Sequence, residues 1–347
     1  MKERSLTGQW PMGPPQSLDL ADLLKTGHAS RLKVVLAFAA IYILWGSTYL
    51  AIKVAIATIP PFWMAGTRFL IAGSVLYAWM RGRGVPRPTR ENWFAAARVG
   101  ALLLACGNGA LVWGEQRVPS GLAAILLATI PIWMVLLDSL RKDGTRLAGR
   151  VAGGLAIAVT GLAILVGPAK LWGSGRVDLL GASVLVLGAL SWSVGSLYSR
   201  QVTLPASPFL ASAMEMLAGG AMLIVMGFLT GESGQLHWGA ITLRSVGGVL
   251  YLVTFGSLLG FTAYIWLLGV VSTARISTYA YVNPIVAVFL GWWLAGEAVS
   301  SRELLATVTI VGAVALILSH PARPMAVAPD TEGMTTQDEE RIMGMGG

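Results

Sequence analysis

Two charged residues of this chain, Arg68 and Glu215, fall deep inside long apolar runs. A charge held in hydrocarbon costs a few kcal/mol (~2.5–3.5) and faces a cavity or a partner. At helical rise, each lies roughly 12 Å from the nearer end of its run. Two chemistries fit them: a binding or proton-carrying site, or a buried ion pair tying the two parts of the chain together. Two amides are also costly there: Asn108 sits between Gly107 and Gly109, and Asn283 precedes Pro284. Proline frees the carbonyl four residues back, so Pro131 frees Leu127 and Pro284 frees Ala280. Helices interrupted at corresponding points mark solute sites in membranes; the alternative is a kink satisfied by a neighbour. Trp45 and Tyr49 stand four apart, and Thr254, Ser257, Phe261 and Tyr264 follow at three, four and three. Such stripes line a wet cavity or mediate close helix packing.

Other chemistries find no support. Cys106 is the single cysteine, so there is no disulfide framework and no cysteine zinc site. His28, His237 and His320 fall in a tail, a loop and a helix end, which leaves no metal site and no cofactor. There is no HExxH, no paired Ser and His within a run and no P-loop, so no enzyme is read here. The net charge of +8 comes from short loops between apolar runs rather than from a basic patch, which argues against nucleic acid.

The elements that must position these residues are membrane helices. Only 12% of the residues are charged, against about 25% in soluble domains, and 55% are hydrophobic. A bilayer core is crossed by about 20 apolar residues. The runs predict ten transmembrane helices, at 33–56, 61–80, 93–114, 118–139, 147–167, 177–199, 207–229, 244–269, 273–295 and 302–319. Residues 1–32 form a polar extension without a cleavable signal, and 320–347 form a polar tail. With a cytoplasmic N-terminus, 17 Lys and Arg fall on the inside and 5 outside, with three inside spans. That bias places both termini in the cytoplasm of a multi-pass inner-membrane protein. Arg98, Asp138, Lys53 and Arg200 lie near span ends and snorkel.

The chain also resembles itself. A shift of 147 residues puts Trp45 on Trp192, Pro61-Phe62 on Pro208-Phe209, Arg68 on Glu215 and Gly73 on Gly220. A shift of 153 puts Gly107 on Gly260, Trp113 on Trp266 and Pro131 on Pro284. Five spans per repeat make the repeats, 33–167 and 177–319, antiparallel. Oppositely oriented copies of one fold can exchange conformations about a midplane site, which is alternating access.

At these residues the chain resembles the EamA family of the drug/metabolite transporter superfamily, and within it the bacterial YedA-type branch. The resemblance rests on Leu44-Trp45-Gly46-Ser47-Thr48-Tyr49, Pro60-Pro61, Ala65-Gly66-Thr67-Arg68-Phe69, Gly107-Asn108-Gly109 and Val118-Pro119-Ser120-Gly121. In the second half it rests on Ser191-Trp192-Ser193, Glu215-Met216-Leu217-Ala218, Ala280-Tyr281-Val282-Asn283-Pro284 and Gly296-Glu297. The first half has no counterpart of the Gly-Glu pair within 138–144, so Glu297 takes only a structural reading. The resemblance implies an all-α fold of ten helices in two inverted five-helix repeats, with a central cavity and export of small metabolites such as amino acids. It adds Trp192 and Tyr281 to the candidate substrate-binding set of Trp45, Tyr49, Arg68, Asn108, Glu215, Tyr264 and Asn283. The expected partners are a small solute, with protons as a candidate coupling ion, and the lipid bilayer, for a monomer or homodimer. A drug-like solute and a receptor or assembly component that moves nothing remain as alternatives.

Overall fold

The computed structural model describes residues 31–118, 123, 126–141, 149–166, 178–295 and 301–318. The extension, the tail, Pro119-Ser120-Gly121 and Gly296-Glu297 lie outside them. All regular structure among the described residues is helical. The helices are α1 (Arg31–Ala55), α2 (Pro61–Gly82), α3 (Arg90–Gly114), α4 (Ile130–Ser139), α5 (Gly149–Val166), α6 (Leu179–Ser199), α7 (Pro208–Leu229), α8 (Leu243–Val270), α9 (Tyr279–Ala295) and α10 (Ser301–Leu318). Of these, α1, α3, α6, α7 and α8 are long and apolar enough to cross a membrane. Exposed apolar side chains along α1, such as Leu32, Val35, Leu36, Ile43 and Leu50, form a face that lipid would cover. The chain has the architecture of a polytopic membrane protein.

Local chemistry sets the helix starts. Thr89 and Asn92 form a reciprocal capping box at α3, and the Asn92 amide also donates to the Thr203 carbonyl. Ser207 and Thr242 cap α7 and α8, with Pro208 in the first turn of α7. Pro61 opens α2, whose free Phe62 and Trp63 N–H groups donate to the Glu232 carboxylate at 3.0 and 3.2 Å. Burial raises the Glu232 carboxyl above its ordinary value, and these two N–H groups pull it back down.

Asp178 caps α6 by accepting from the Gly181 N–H at 2.8 Å, and Arg117 approaches it at 3.3 Å. The Gly181 hydrogen bond, followed by Arg117, holds this carboxyl below its ordinary value. A depressed carboxyl contributes stability above its unfolded value of about 3.9, and that stability is lost as pH falls through the folded value. Thermal unfolding in detergent should therefore show a loss of stability on acidification below about pH 4. Asp178→Asn should flatten that part of the profile; an unchanged acid limb would mean that the cap contributes nothing.

Two helices depart from α geometry. α3 is π-helical over Ala101–Asn108 and α8 over Leu252–Phe261. The Gly109 N–H reaches the Leu104 carbonyl, five residues back. The fourth and ninth expected spans are broken: turns occupy 128–129 and 277–278, and a single helical turn, Thr273–Ile276, precedes α9. Pro131 stands in the first turn of α4, whereas Pro284 lies inside α9. The two breaks are thus not in the same repeat register.

The main seams are α2 on α7, α3 on α6, α1 on α8, α5 on α10, α3 on α7, α1 on α9 and α4 on α6. Glycine lets the first seam close. A Cβ on Gly66 would stand 3.0 Å from the Gly220 carbonyl, and one on Gly73 would stand 3.0 Å from the Ala213 carbonyl. Without a solvent-driven hydrophobic force between helices in lipid, such close backbone approach supplies the packing energy.

Candidate functional site

α1, α2, α3, α4, α6, α8 and α9 surround a cavity of about 90 Å³. Six expected residues line it: Trp45, Tyr49, Arg68, Asn108, Trp192 and Asn283. Its lining on α1 runs from Trp45 to Ile52 and on α3 from Leu104 to Leu111, the C-terminal halves of both helices. Leu127 and Ala280, the residues whose carbonyls Pro131 and Pro284 deprive of a donor, also line it.

The floor is aromatic. Trp45 meets Trp192 edge-on at 5.7 Å between ring centroids, Tyr264 at 5.1 Å and Tyr279 at 5.0 Å. The Trp45 indole N–H donates to the Gly256 carbonyl, and that of Trp192 donates to the Tyr264 hydroxyl, each at 3.0 Å. The Tyr264 hydroxyl also shares a 2.6 Å hydrogen bond with Ser196. Both indoles rest on glycine: a Cβ on Gly260 would lie 2.5 Å from Trp45 Nε1, and one on Gly107 would lie 3.1 Å from Trp192 Cε3. Below this floor Tyr42 bonds Thr278 at 2.5 Å, tying the N-terminal half of α1 to the turn before α9. Asn283, 3% exposed, presents its amide nitrogen to the Tyr279 and Tyr42 carbonyls at 3.1 and 3.2 Å, joining α9 to α1.

Arg68 supplies the cavity's charge. It is 5% exposed, its Nη2 donates to Asn108 Oδ1 at 2.9 Å, and its guanidinium lies 4.3 Å from the Phe69 ring centroid. Its Nε has no partner.

Three expected residues lie elsewhere. Tyr264 is fully buried behind the indoles rather than on the cavity wall. Tyr281 packs with α4, α5 and α10; two residues from Tyr279 and Asn283, it faces away from them. Glu215 is also fully buried off the cavity, and neither of its oxygens has a partner. An Arg68–Glu215 ion pair does not form. The reason is helical phase. Arg68 stands two residues, or about 200°, round from Gly66, and Glu215 stands equally far round from Ala213. The Gly66 and Ala213 faces form the α2–α7 seam, so both charges turn away from it.

That geometry makes a prediction. Glu215→Gln removes no ion pair, so folded yield should match the unsubstituted protein. Glu215→Lys, which buries a longer cation with no acceptor at hand, should lose about 3 kcal/mol or more. Size-exclusion profiles after detergent extraction compare them, and a loss of yield in Glu215→Gln would restore the idea of a hidden ion-pair partner.

Sequence reasoning missed Tyr279 and Glu115. Tyr279 stands four residues before Asn283, and that spacing alone predicts a shared face. Glu115 follows the last residue of α3; it lies in electrostatic range of Arg68 and Lys53, yet it closes no ion pair among the described residues, and its Oε1 has no partner. A carboxylate one residue beyond an apolar run was the available signal.

A solved crystal structure superposes with a TM-score of 0.68 at 20% identity, over 84% of this chain and 100% of its own, which shows the fold alone. The uncharacterized inner membrane transporter YedA of Escherichia coli K12 is 40% identical over 301 residues, 84% of this chain and 94% of its own. The WAT1-related chloroplastic protein At3g02690 of Arabidopsis thaliana is 28% identical over 283 residues, 78% of this chain and 66% of its own. The pattern of the EamA-like transporter family matches twice, over residues 32–167 and 179–319. With both matches and a 40% identical relative over most of its length, the chain belongs to the EamA-like transporter family.

Proposed function

We propose that this protein is a secondary carrier that exports a small metabolite across the inner membrane by alternating access, using ten spans in two inverted five-helix repeats. The observation that carries the reading is the cavity floor, where equivalent residues of the two repeats cross. Trp45 of the first repeat rests on Gly260 of the second, and Trp192 of the second rests on Gly107 of the first. The major seams follow the same exchange: α1 on α8 answers α6 on α3, and α1 on α9 answers α6 on α4. A double family match supports the duplication. A carrier needs such a site, held between two similar units that can trade conformations.

With both termini cytoplasmic, as the 17-to-5 charge bias supports, the cavity occupies the extracytoplasmic half and the aromatic floor closes the cytoplasmic half. This is an outward-facing arrangement. The volume of about 90 Å³ sits well below the roughly 300–1,000 Å³ of drug-sized sites, so a metabolite of a few heavy atoms is favoured over a drug-like compound. The test is counterflow in proteoliposomes, guided by metabolites that accumulate outside cells overproducing the protein. Solute binding without flux would favour the receptor alternative, and a periplasmic signal from a reporter fused to the C-terminus would rule out an even number of spans.

A further inference from the structure

We propose that the transported solute carries a carboxylate, bound by Arg68 with Asn108 beside it, and that the site has no counter-charge for an ammonium group. The proposal rests on the transport reading and narrows its substrate class. Its starting point is an imbalance of charge and hydrogen bonding. Arg68 lies on the cavity wall, 95% withdrawn from solvent, with one hydrogen bond to a neutral amide and an unpartnered Nε. A guanidinium is always protonated and offers five donors in a planar fork. A buried cation left in this condition is strongly unfavourable until an anion completes it. No ion pair among the described residues does so, since the bridges there are Arg117–Asp178 and Arg141–Asp138.

The rest of the cavity says what accompanies the anion. No aspartate or glutamate lines it; Trp45, Tyr49, Phe69, Trp192 and Tyr279 do. A planar monoanion fits a single planar fork, and a compact apolar body fits the aromatic walls.

The experiment reads occupancy directly, without relying on flux. In a Cys106→Ala background, Thr48→Cys places one thiol on the cavity wall, and its labelling rate by a small methanethiosulfonate reagent reports whether the cavity is filled. The probes are four compounds of one shape: 3-methylbutanoate, valine, 3-methylbutanamide and 2-methylpropylamine. The acid should protect at a concentration at least about tenfold below that of the amide, as one charge-assisted hydrogen-bonded contact implies, and the amine should protect least. Valine should bind no tighter than 3-methylbutanoate. Arg68→Gln should abolish the preference of acid over amide while amide protection remains, and Arg68→Lys should keep part of it. Arg68→Lys also serves as the test if Arg68→Gln does not fold. Equal protection by acid and amide, preference for the amine, tenfold tighter binding of valine, or no protection by any of the four would each overturn the proposal. Protection that follows the predicted order without counterflow in proteoliposomes would instead uphold the carboxylate subsite and remove the carrier reading.

Discussion

Gly260→Ala should lower solute flux more than tenfold while leaving the protein folded. The added methyl group would lie 2.5 Å from Trp45 Nε1 and 2.8 Å from Trp45 Cδ1. Those atoms belong to a side chain that can turn, so the clash resolves by moving the indole rather than by separating helices. Overpacking of this kind costs about 1–3 kcal/mol, which a folded helix bundle can absorb. The indole cannot turn without giving up its hydrogen bond to the Gly256 carbonyl at 3.0 Å and its contacts with Trp192, Tyr264 and Tyr279. Flux per folded molecule should fall, and Trp45→Phe in the same chain should restore part of it by making room. Gly107→Ala, with 3.1 Å to the Trp192 ring, should have a smaller effect of the same kind. Undiminished flux in Gly260→Ala would mean that the position of Trp45 does not matter to transport.

The effect of Gly100→Ala should fall on folding instead. A Cβ there would meet the Glu215 carbonyl oxygen at 2.5 Å and the Gly219 nitrogen at 3.1 Å. Both are backbone atoms of α7, so no rotamer relieves the contact and α3 must move away from α7. The expected cost is about 3 kcal/mol or more, seen as a collapse of monodisperse protein after extraction and a lower thermal midpoint. Gly153→Ala is the control: nothing lies within 4 Å of its new methyl group, and alanine is favoured over glycine in a helix by about 1 kcal/mol. Equal yields of Gly100→Ala and Gly153→Ala would show that the α3–α7 seam is not tight.

Much of the helix plan was legible because hydrocarbon permits so few alternatives. The expected run 61–80 became Pro61–Gly82 and the run 177–199 became Leu179–Ser199. Proline pairs, capping hydroxyls and charged loops mark those ends in the sequence itself. The aromatic residues of the cavity were legible for a related reason: Trp45 and Tyr49 share a helix face, and the internal repeat points from Trp45 to Trp192. Phase was not legible. Arg68 and Glu215 match in depth and in repeat position, and only the direction of the α2–α7 seam shows that they turn apart. That seam is made by Gly66, Gly73 and Gly220, residues with no side chain to advertise a contact. Tyr281 failed as a candidate through the same ambiguity, since a motif names residues while a helix sorts them by angle.

The π-helical stretch of α3 puts a constraint on the number of residues rather than on their type. In an unbroken α-helix, residues seven apart return to within about 20° of one another, so Gly100 and Gly107 would address the same neighbour. Here Gly100 addresses α7 and Gly107 addresses α6. The wider turns between them hold more residues per revolution and act as a phase shifter in the helix. Removing one residue from this stretch, Leu103 for example, would leave the run apolar and long enough to cross a bilayer, and every later side chain would still be the same amino acid. The wider turns would then close to ordinary α geometry, and Asn108 would keep the direction in which it meets Arg68. Over these eight residues, Ala101–Asn108, the helix carries one residue more than an α-helix of the same phase would, and a gap elsewhere in α3 would turn its two ends apart by about 100°.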